Sequence, residues 1–187
     1  MENYLFIDTE TTGFKKSGGL MQEGQARVCQ IAMILANQEG RTLSEFSSLV
    51  RPERWSISEG AEKVHGITDD DCYTNGLRQS VIIEMYHTLA SKADIIVAHN
   101  ENFDRGMMEI ETCYYNNVRD PSDCMAHGKR WYCTMTSNMH LANGRWPKLD
   151  KTLQHYCNRS LGDTAHDAMA DTKACRDIFF AMRGIKT

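Results

Sequence analysis

No run of apolar residues in this chain is long enough to cross a bilayer, so a membrane-spanning helix is not expected. The start also lacks the basic segment, apolar stretch and small-residue cleavage site of a secretory signal; it leads at once into a strand-like run, and a cytoplasmic location is expected. Cysteine is present, but framework spacing is missing: the seven are an odd number scattered through apparent helices and strands, in a chain too large to need staples. Reduced thiols are the expectation. An excess of basic charge is missing too, and a net charge of −4 argues against nucleic acid gripped by an extended basic face. Repeats and low-complexity segments are absent. What remains is an ordinary folded composition, 41% hydrophobic and 25% charged over 187 residues, enough for one well-buried domain and short for two, so residues 1–187 read as a single domain.

The most informative stretch is Asp8-Thr9-Glu10-Thr11-Thr12-Gly13, directly after the apolar run Tyr4-Leu5-Phe6-Ile7. Side chains on a strand alternate between faces, so Asp8 and Glu10 point the same way. Two carboxylates that close raise each other's proton affinity, a cost that a bound divalent cation removes while taking both as ligands. This reads as half of a metal site; for an isolated Asp-x-Glu, an exposed acidic turn is the more frequent explanation. Two distant segments bear on the choice. Ala98-His99-Asn100-Glu101-Asn102-Phe103-Asp104 follows the apolar strand Ile95-Ile96-Val97 and opens a helix, and His166-Asp167-Ala168-Met169-Ala170-Asp171 opens the C-terminal helix.

Between these segments, patterning predicts strands at 4–8, 28–35 and 42–50, joined as an antiparallel meander with a turn at Gly40. A short helix capped by Ser58 and ended before Gly66 follows. The spacing of Leu77, Val81, Met85 and Leu89 predicts a helix over 77–90 that turns this face inward. A buried strand is expected at 95–98, then a helix with Asn100 as its N-cap. Residues 116–129 read as a loop and 130–135 as a last strand, with helices from about 135, 149 and 165. Three antiparallel strands followed by alternating helices and strands predict an α/β fold with a mixed sheet and helices packed on it.

Taken together, the three motifs resemble the DEDDh 3′-to-5′ exonuclease family, which includes the proofreading subunit of DNA polymerase III, ribonuclease T and oligoribonuclease. The resemblance covers nearly the whole chain. It implies a ribonuclease H-like fold and a two-metal phosphodiester hydrolase using two Mg²⁺, with Mn²⁺ as substitute. Asp8, Glu10, Asp104 and Asp171 match the family's four acidic ligands: Asp8 would bridge both ions, Glu10 and Asp171 would serve the nucleophile-side ion, and Asp104 the other. Setting these four aside leaves as many acidic as basic residues, so the excess acid is the site itself. His166 matches the family histidine and is the candidate general base. Within one regular helix, positions i and i+5 lie about 140° apart, so His166 is expected on a loop or first turn.

For substrate, Thr11, Thr12 and Gly13 offer backbone and hydroxyl donors, or form only a strand-end turn. Phe14 and Phe103 could stack on the last base, with core packing an equal reading for Phe103. His65-Gly66-Ile67-Thr68 resembles a family loop that approaches the 3′ end, while Thr68 and Asp71 also form a plain helix cap. Asn100 is a substrate ligand, a cap, or both. The implied activity is 3′-to-5′ removal of nucleoside 5′-monophosphates from single-stranded ends, DNA favoured. An RNA-trimming exoribonuclease of ribonuclease T type is the alternative, and a non-cutting adaptor for nucleic acid or polymerase the non-enzymatic one. A DNA polymerase is a candidate partner. Cys124-x-x-His127, with Cys113 and Cys133, invites a zinc reading but lacks paired ligand spacings. His87, His99, His127, His140 and His155 read as structural or solvated. Lys15-Lys16, Lys129-Arg130-Trp131 and Arg145-Trp146-Pro147-Lys148 could track a strand's backbone, or be solvated charge beside a packed tryptophan.

Overall fold

A computed structural model describes residues 2–120, 122 and 128–186. Its centre is a five-stranded sheet in the order β3-β2-β1-β4-β5, with β1 Asn3–Thr11, β2 Val28–Asn37, β3 Thr42–Leu49, β4 Ile95–Ala98 and β5 Arg130–Cys133. β1, β2 and β3 pair antiparallel, while β4 joins β1 in parallel and β5 joins β4 in parallel. The mixed sheet expected from the sequence is therefore present.

Both faces of the sheet are covered, which is why β1 reads as a continuous apolar run rather than an alternating one. Leu5 and Ile7 face α3 (Gln79–Lys92) and α4 (Glu101–Asn116), in a core with Ile82, Ile83, Met107 and Ile110. Tyr4 and Phe6 face α6 (Ala168–Ala181), where Phe179 meets them edge-on with ring centroids 4.7 Å and 5.3 Å away. The smaller helices are set by local capping. In α1 (Glu59–His65), Ser58 Oγ accepts from the Ala61 N–H, and Gly66 ends the helix at φ 73°, a left-handed turn that glycine takes without strain. α2 (Asp69–Asn75) starts with the reciprocal Thr68 and Asp71 capping box.

Four expectations are corrected. The inward face of α3 is Ile82, Ile83, Tyr86, Leu89 and Ala90, whereas Val81 and Leu77 are each 40% exposed. Both stripes satisfy a helical period, but Leu77 lies outside the helix. Its N–H donates to Leu49 O and its carbonyl accepts from the Arg51 N–H, so it is tied to the end of β3 and the helix begins two residues later. Second, the segment from 135 is a 3₁₀ stretch, Thr136–Ala142, interrupted at Asn138; α5 (Leu149–Cys157) then starts where expected. Third, Asn100 occupies the N-cap position of α4 without a side-chain cap bond, its backbone left-handed at φ 80°. Fourth, α6 starts at Ala168, three residues after the expected position. The expected loop at 116–129 falls partly outside the described residues, as do Cys124 and His127. Among the described residues no cysteine is in a disulfide, and no helix is long and apolar enough to cross a membrane.

Candidate active site

β4 pairs with β1 only as far as Val97 opposite Phe6, whereas β1 continues to Thr11 with β2 alone beside it. The carboxyl ends of two parallel strands thus leave an open crevice, the usual ligand position in an α/β sheet. α4 leaves β4 at that crevice on one face of the sheet, and α6 begins there on the other. Their first turns bring Asp104 and Asp171 to the strand carrying Asp8 and Glu10.

Alternation along β1 explains how each acid is reached. Asp8 and Glu10 share the face of Phe6, the α6 side, and ligand atoms of Glu10, His166 and Asp171 all lie within 4.8 Å of one another. Thr9 points the other way, and its Oγ1 donates to Asp104 Oδ1 at 2.8 Å. Asp104 is 3% exposed, so this bond fixes a carboxylate that has almost no water. Thr9 has no role assigned from the sequence; the same alternation that pairs Asp8 with Glu10 places it on the α4 side.

His166 lies outside α6 with φ 66°, so the helical angle between i and i+5 does not apply. Its N–H donates to Asp171 Oδ2 at 3.4 Å and its ring is exposed. The loop is moored by Gln30, which stands opposite Glu10 on β2. Gln30 Oε1 accepts from the Ala168 N–H at 3.1 Å, and its Nε2 donates to Asp167 Oδ2 at 3.4 Å, while Asp167 Oδ1 caps α6 by accepting from the Ala170 N–H. Gln30 was not recognised from the sequence, although a lone amide inside the apolar run of β2 was the available sign.

The four carboxyls repel and desolvate one another. Burial first, then Asp104, Asp171 and Glu10, push the Asp8 carboxyl well above the usual range. Burial and the charges of Asp171 and Asp104 push Glu10 up to about 8. Asp104 rises to about 7 by burial, against the bond from Thr9, and Asp171 to about 6 by burial, against the His166 N–H. Asp171 Oδ1 is buried with no hydrogen-bond partner. An orphaned carboxylate oxygen among acids that hold protons at neutral pH is what a divalent cation would relieve, so the donor set fits a hard metal ion.

These acids form one wall of a cleft of about 610 Å³; Phe14, Ala61, Val64, Phe103 and Leu149 form an apolar wall. Phe14 is 89% exposed, and Phe103 lines the cleft while also packing on the core. Asn100, Thr11 and His65 line it too, but the expected free donors are not there. Thr11 Oγ1 donates to Gly13 O at 2.8 Å, and Thr12 Oγ1 accepts from the Arg27 N–H at 3.0 Å. His65 Nδ1 accepts from the Ile67 N–H at 3.0 Å, which leaves Nε2 to carry the proton and donate to Thr11 O at 3.2 Å. Burial lowers its proton affinity, consistent with a neutral ring. His99 is likewise structural: Nε2 donates to Pro147 O at 3.1 Å and Nδ1 pairs with Thr134 Oγ1 at 2.9 Å, with burial lowering it to about 4. Lys129 and Arg130 do not reach the cleft. They start β5 at the opposite end of the sheet, where Lys129 Nζ donates to Ala93 O and Arg130 pairs with Glu2.

The sequence profile of the ribonuclease T exonuclease family matches residues 5–179. The chain belongs to the DEDDh 3′-to-5′ exonuclease family. It is similar to the DNA polymerase III subunit epsilon of Buchnera aphidicola from Acyrthosiphon pisum, 24% identical over 184 residues, covering 96% of this chain and 72% of the relative. The same subunit of Treponema pallidum is 26% identical, covering 96% of this chain and 75% of the relative. In fold it is similar to E. coli exonuclease I in complex with a dA16 oligonucleotide, with a TM-score of 0.72, 21% identity and 99% of this chain covered. A zinc ion bound form of that enzyme with single-stranded DNA gives a TM-score of 0.71 at 23% identity. This exonuclease-family chain spans about 40% of the length of exonuclease I.

Proposed function

We propose that this exonuclease removes nucleoside 5′-monophosphates one at a time from the 3′ end of single-stranded nucleic acid, DNA favoured. Residues 1–187 would act as one catalytic domain holding two Mg²⁺, with Mn²⁺ as substitute. The observation that carries the reading is the convergence of Glu10, His166 and Asp171 within 4.8 Å beside the Thr9-anchored Asp104.

When bound, the ions would supply the positive charge that offsets the phosphate and make water acidic enough to attack near neutral pH. Asp8, Glu10, Asp104 and Asp171 would hold them. A ring nitrogen of His166 would take the proton from the attacking water as the bond from phosphorus to the leaving 3′ oxygen breaks; that oxygen takes a proton from solvent water, and the exposed ring returns its own to solvent. Thr9 keeps Asp104 aimed at the crevice, and Gln30 keeps the His166 loop at Glu10. Phe14 and Phe103 hold the terminal base by stacking, a contact open to all four bases, and Val64 helps exclude water from the reacting end. Asn100 meets the sugar side of the terminal nucleotide, and Thr11 and His65 shape the cleft floor.

The choice of DNA is supported by relatives that are replicative polymerase subunits and by a neighbour of similar fold seen with DNA oligonucleotides. These relatives also suggest a polymerase partner. The matched ribonuclease T profile keeps RNA trimming as the second reading. A non-cutting adaptor is disfavoured by five intact catalytic positions. The test is a time course on end-labelled single-stranded DNA and RNA of matched sequence, with Mg²⁺, Mn²⁺ or chelator, and with Asp8→Asn as control. Trimming from the 3′ end is expected, fastest on DNA and abolished by chelator and by Asp8→Asn. Persistent cleavage in chelator would refute the metal reading, and faster RNA cleavage the DNA preference.

A further inference from the structure

Trp146 is 70% exposed, far more than a large apolar side chain needs to be, and the backbone on both sides of it is anchored. The Arg145 N–H donates to Ala142 O at 3.0 Å on one side of it, and on the other the buried Pro147 has its carbonyl pinned by His99 Nε2 at 3.1 Å. His99 and Leu149 both line the catalytic cleft, so the segment 145–148 is anchored on the cleft's rim at two points. The two cations flanking Trp146, Arg145 and Lys148, are exposed and have no carboxylate partner among the described residues. Asp150, the nearest acid in sequence, is turned away, accepting from Ser160 Oγ and the Leu161 N–H. In a chain of net charge −4, the rim of the cleft thus carries an exposed indole, on an anchored stretch of backbone, between two unneutralised cations.

An exposed aromatic on an anchored backbone loses little main-chain entropy on stacking, and flanking cations suit phosphates one nucleotide to either side. We propose that Arg145, Trp146 and Lys148 form a subsite for the single strand upstream of the scissile bond, with a base stacked on Trp146 and the adjacent phosphates on Arg145 and Lys148. This subsite rests on the nuclease reading above and adds to it a preference for oligomers over the shortest substrates. The last nucleotide sits against Phe14 and Phe103 inside the cleft; the strand leaves over the 145–148 rim. A duplex end is not the expected occupant, because the bases upstream of its last pair are already stacked on both sides and paired, so none is free to lie on Trp146.

The test compares dT2, dT3, dT5 and dT8 as substrates for the wild-type chain, Trp146→Ala, and the double variant Arg145→Gln with Lys148→Gln. Trp146 is exposed, so its replacement leaves the core intact. For the wild type, kcat/KM is expected to rise with length, and Trp146→Ala to remove that rise, lowering the dT8 to dT2 ratio by on the order of 10- to 100-fold, mainly through KM. The double variant should flatten the salt dependence of the dT8 KM, its log–log slope falling by about 0.7 for each lost phosphate contact. A direct readout without turnover is quenching of tryptophan fluorescence by dT8 in chelator, present in the wild type, weaker with dT2 and lost in Trp146→Phe. A length profile and quenching unchanged by these substitutions would overturn the subsite. So would Trp146-dependent preference for duplex ends. Cleavage absent in every protein while Trp146-dependent quenching persists would overturn the nuclease reading and leave the subsite standing.

Discussion

At the scale of single residues, the site divides into groups that act and groups that only hold others. His166, the proposed general base, is exposed and sits on a left-handed residue, with its ring beside Glu10 and Asp171. His166→Ala is therefore expected to slow cleavage by on the order of 10² to 10⁴ while metal affinity, followed by calorimetry, stays near that of the wild type; unchanged turnover would remove it as the base. Phe14 has little packing to lose at 89% exposure. Phe14→Ala should raise KM by the worth of one stacked base, about 1–3 kcal/mol, with kcat nearly kept and the melting temperature unmoved. Thr11 and His65 are the contrasting case: the sequence offered Thr11 as a substrate donor or a strand-end turn and the His65 loop as one that approaches the 3′ end, and Thr11 Oγ1 binds Gly13 O while the His65 ring binds Thr11 O and the Ile67 N–H.

Elements meet at the site because a buried ion pair fixes the loop that carries Phe14. Arg27 Nε and Nη2 donate to Glu111 Oε1 and Oε2 at 2.9 Å and 2.8 Å, and Glu111 also accepts from the Val28 N–H and from Gln79. The Arg27 backbone in turn grips Thr12, and Thr12 O accepts from the Ser58 N–H, joining β1, β2, α1 and α4 in one chain of bonds. Glu111→Ala leaves a buried guanidinium unpaired and should cost about 3–5 kcal/mol of unfolding free energy in a urea titration. A loss below 1 kcal/mol would show that water reaches Arg27. The expected inward face of α3 held at Met85 and Leu89 but failed at Leu77 and Val81 for a related reason: the β-bridge at Leu77, a contact with Val50 distant in sequence, decided where the helix could begin.

For the whole molecule, the raised carboxyls link stability to pH. Asp8, Glu10 and Asp104 hold protons more tightly folded than unfolded, so their contribution is complete below the ordinary carboxylate range and is lost as pH rises through about 7 for Asp104 and about 8 for Glu10. Half-buried His65, His87 and His99, held below their ordinary value, act oppositely but have finished titrating by about pH 7.5. Metal-free protein should therefore melt lower at about pH 8.5 than at about pH 7.5, and Mg²⁺ should raise the melting temperature more at the higher pH, where the acids it needs are already ionised. Scanning calorimetry at fixed ionic strength checks this; a gain from Mg²⁺ that is equal or smaller at the higher pH would contradict the coupling.

What the sequence determined by itself was local or periodic. The alternation that pairs Asp8 with Glu10, the Ser58 cap, the apolar run Tyr4–Ile7 that opens β1 and the need to take His166 out of the helix all follow from interactions within a few residues. The motif pattern added the family and, with it, the expectation that the acids gather. Only the tertiary structure decided that Thr9 holds Asp104, that Gln30 moors the His166 loop, that Lys129 and Arg130 lie at the far end of the sheet, and that Trp146 stands on the rim of the cleft. Those are contacts between residues tens of positions apart. Their partners are selected by strand order and by which sheet face each helix covers, and no local period in the chain encodes either.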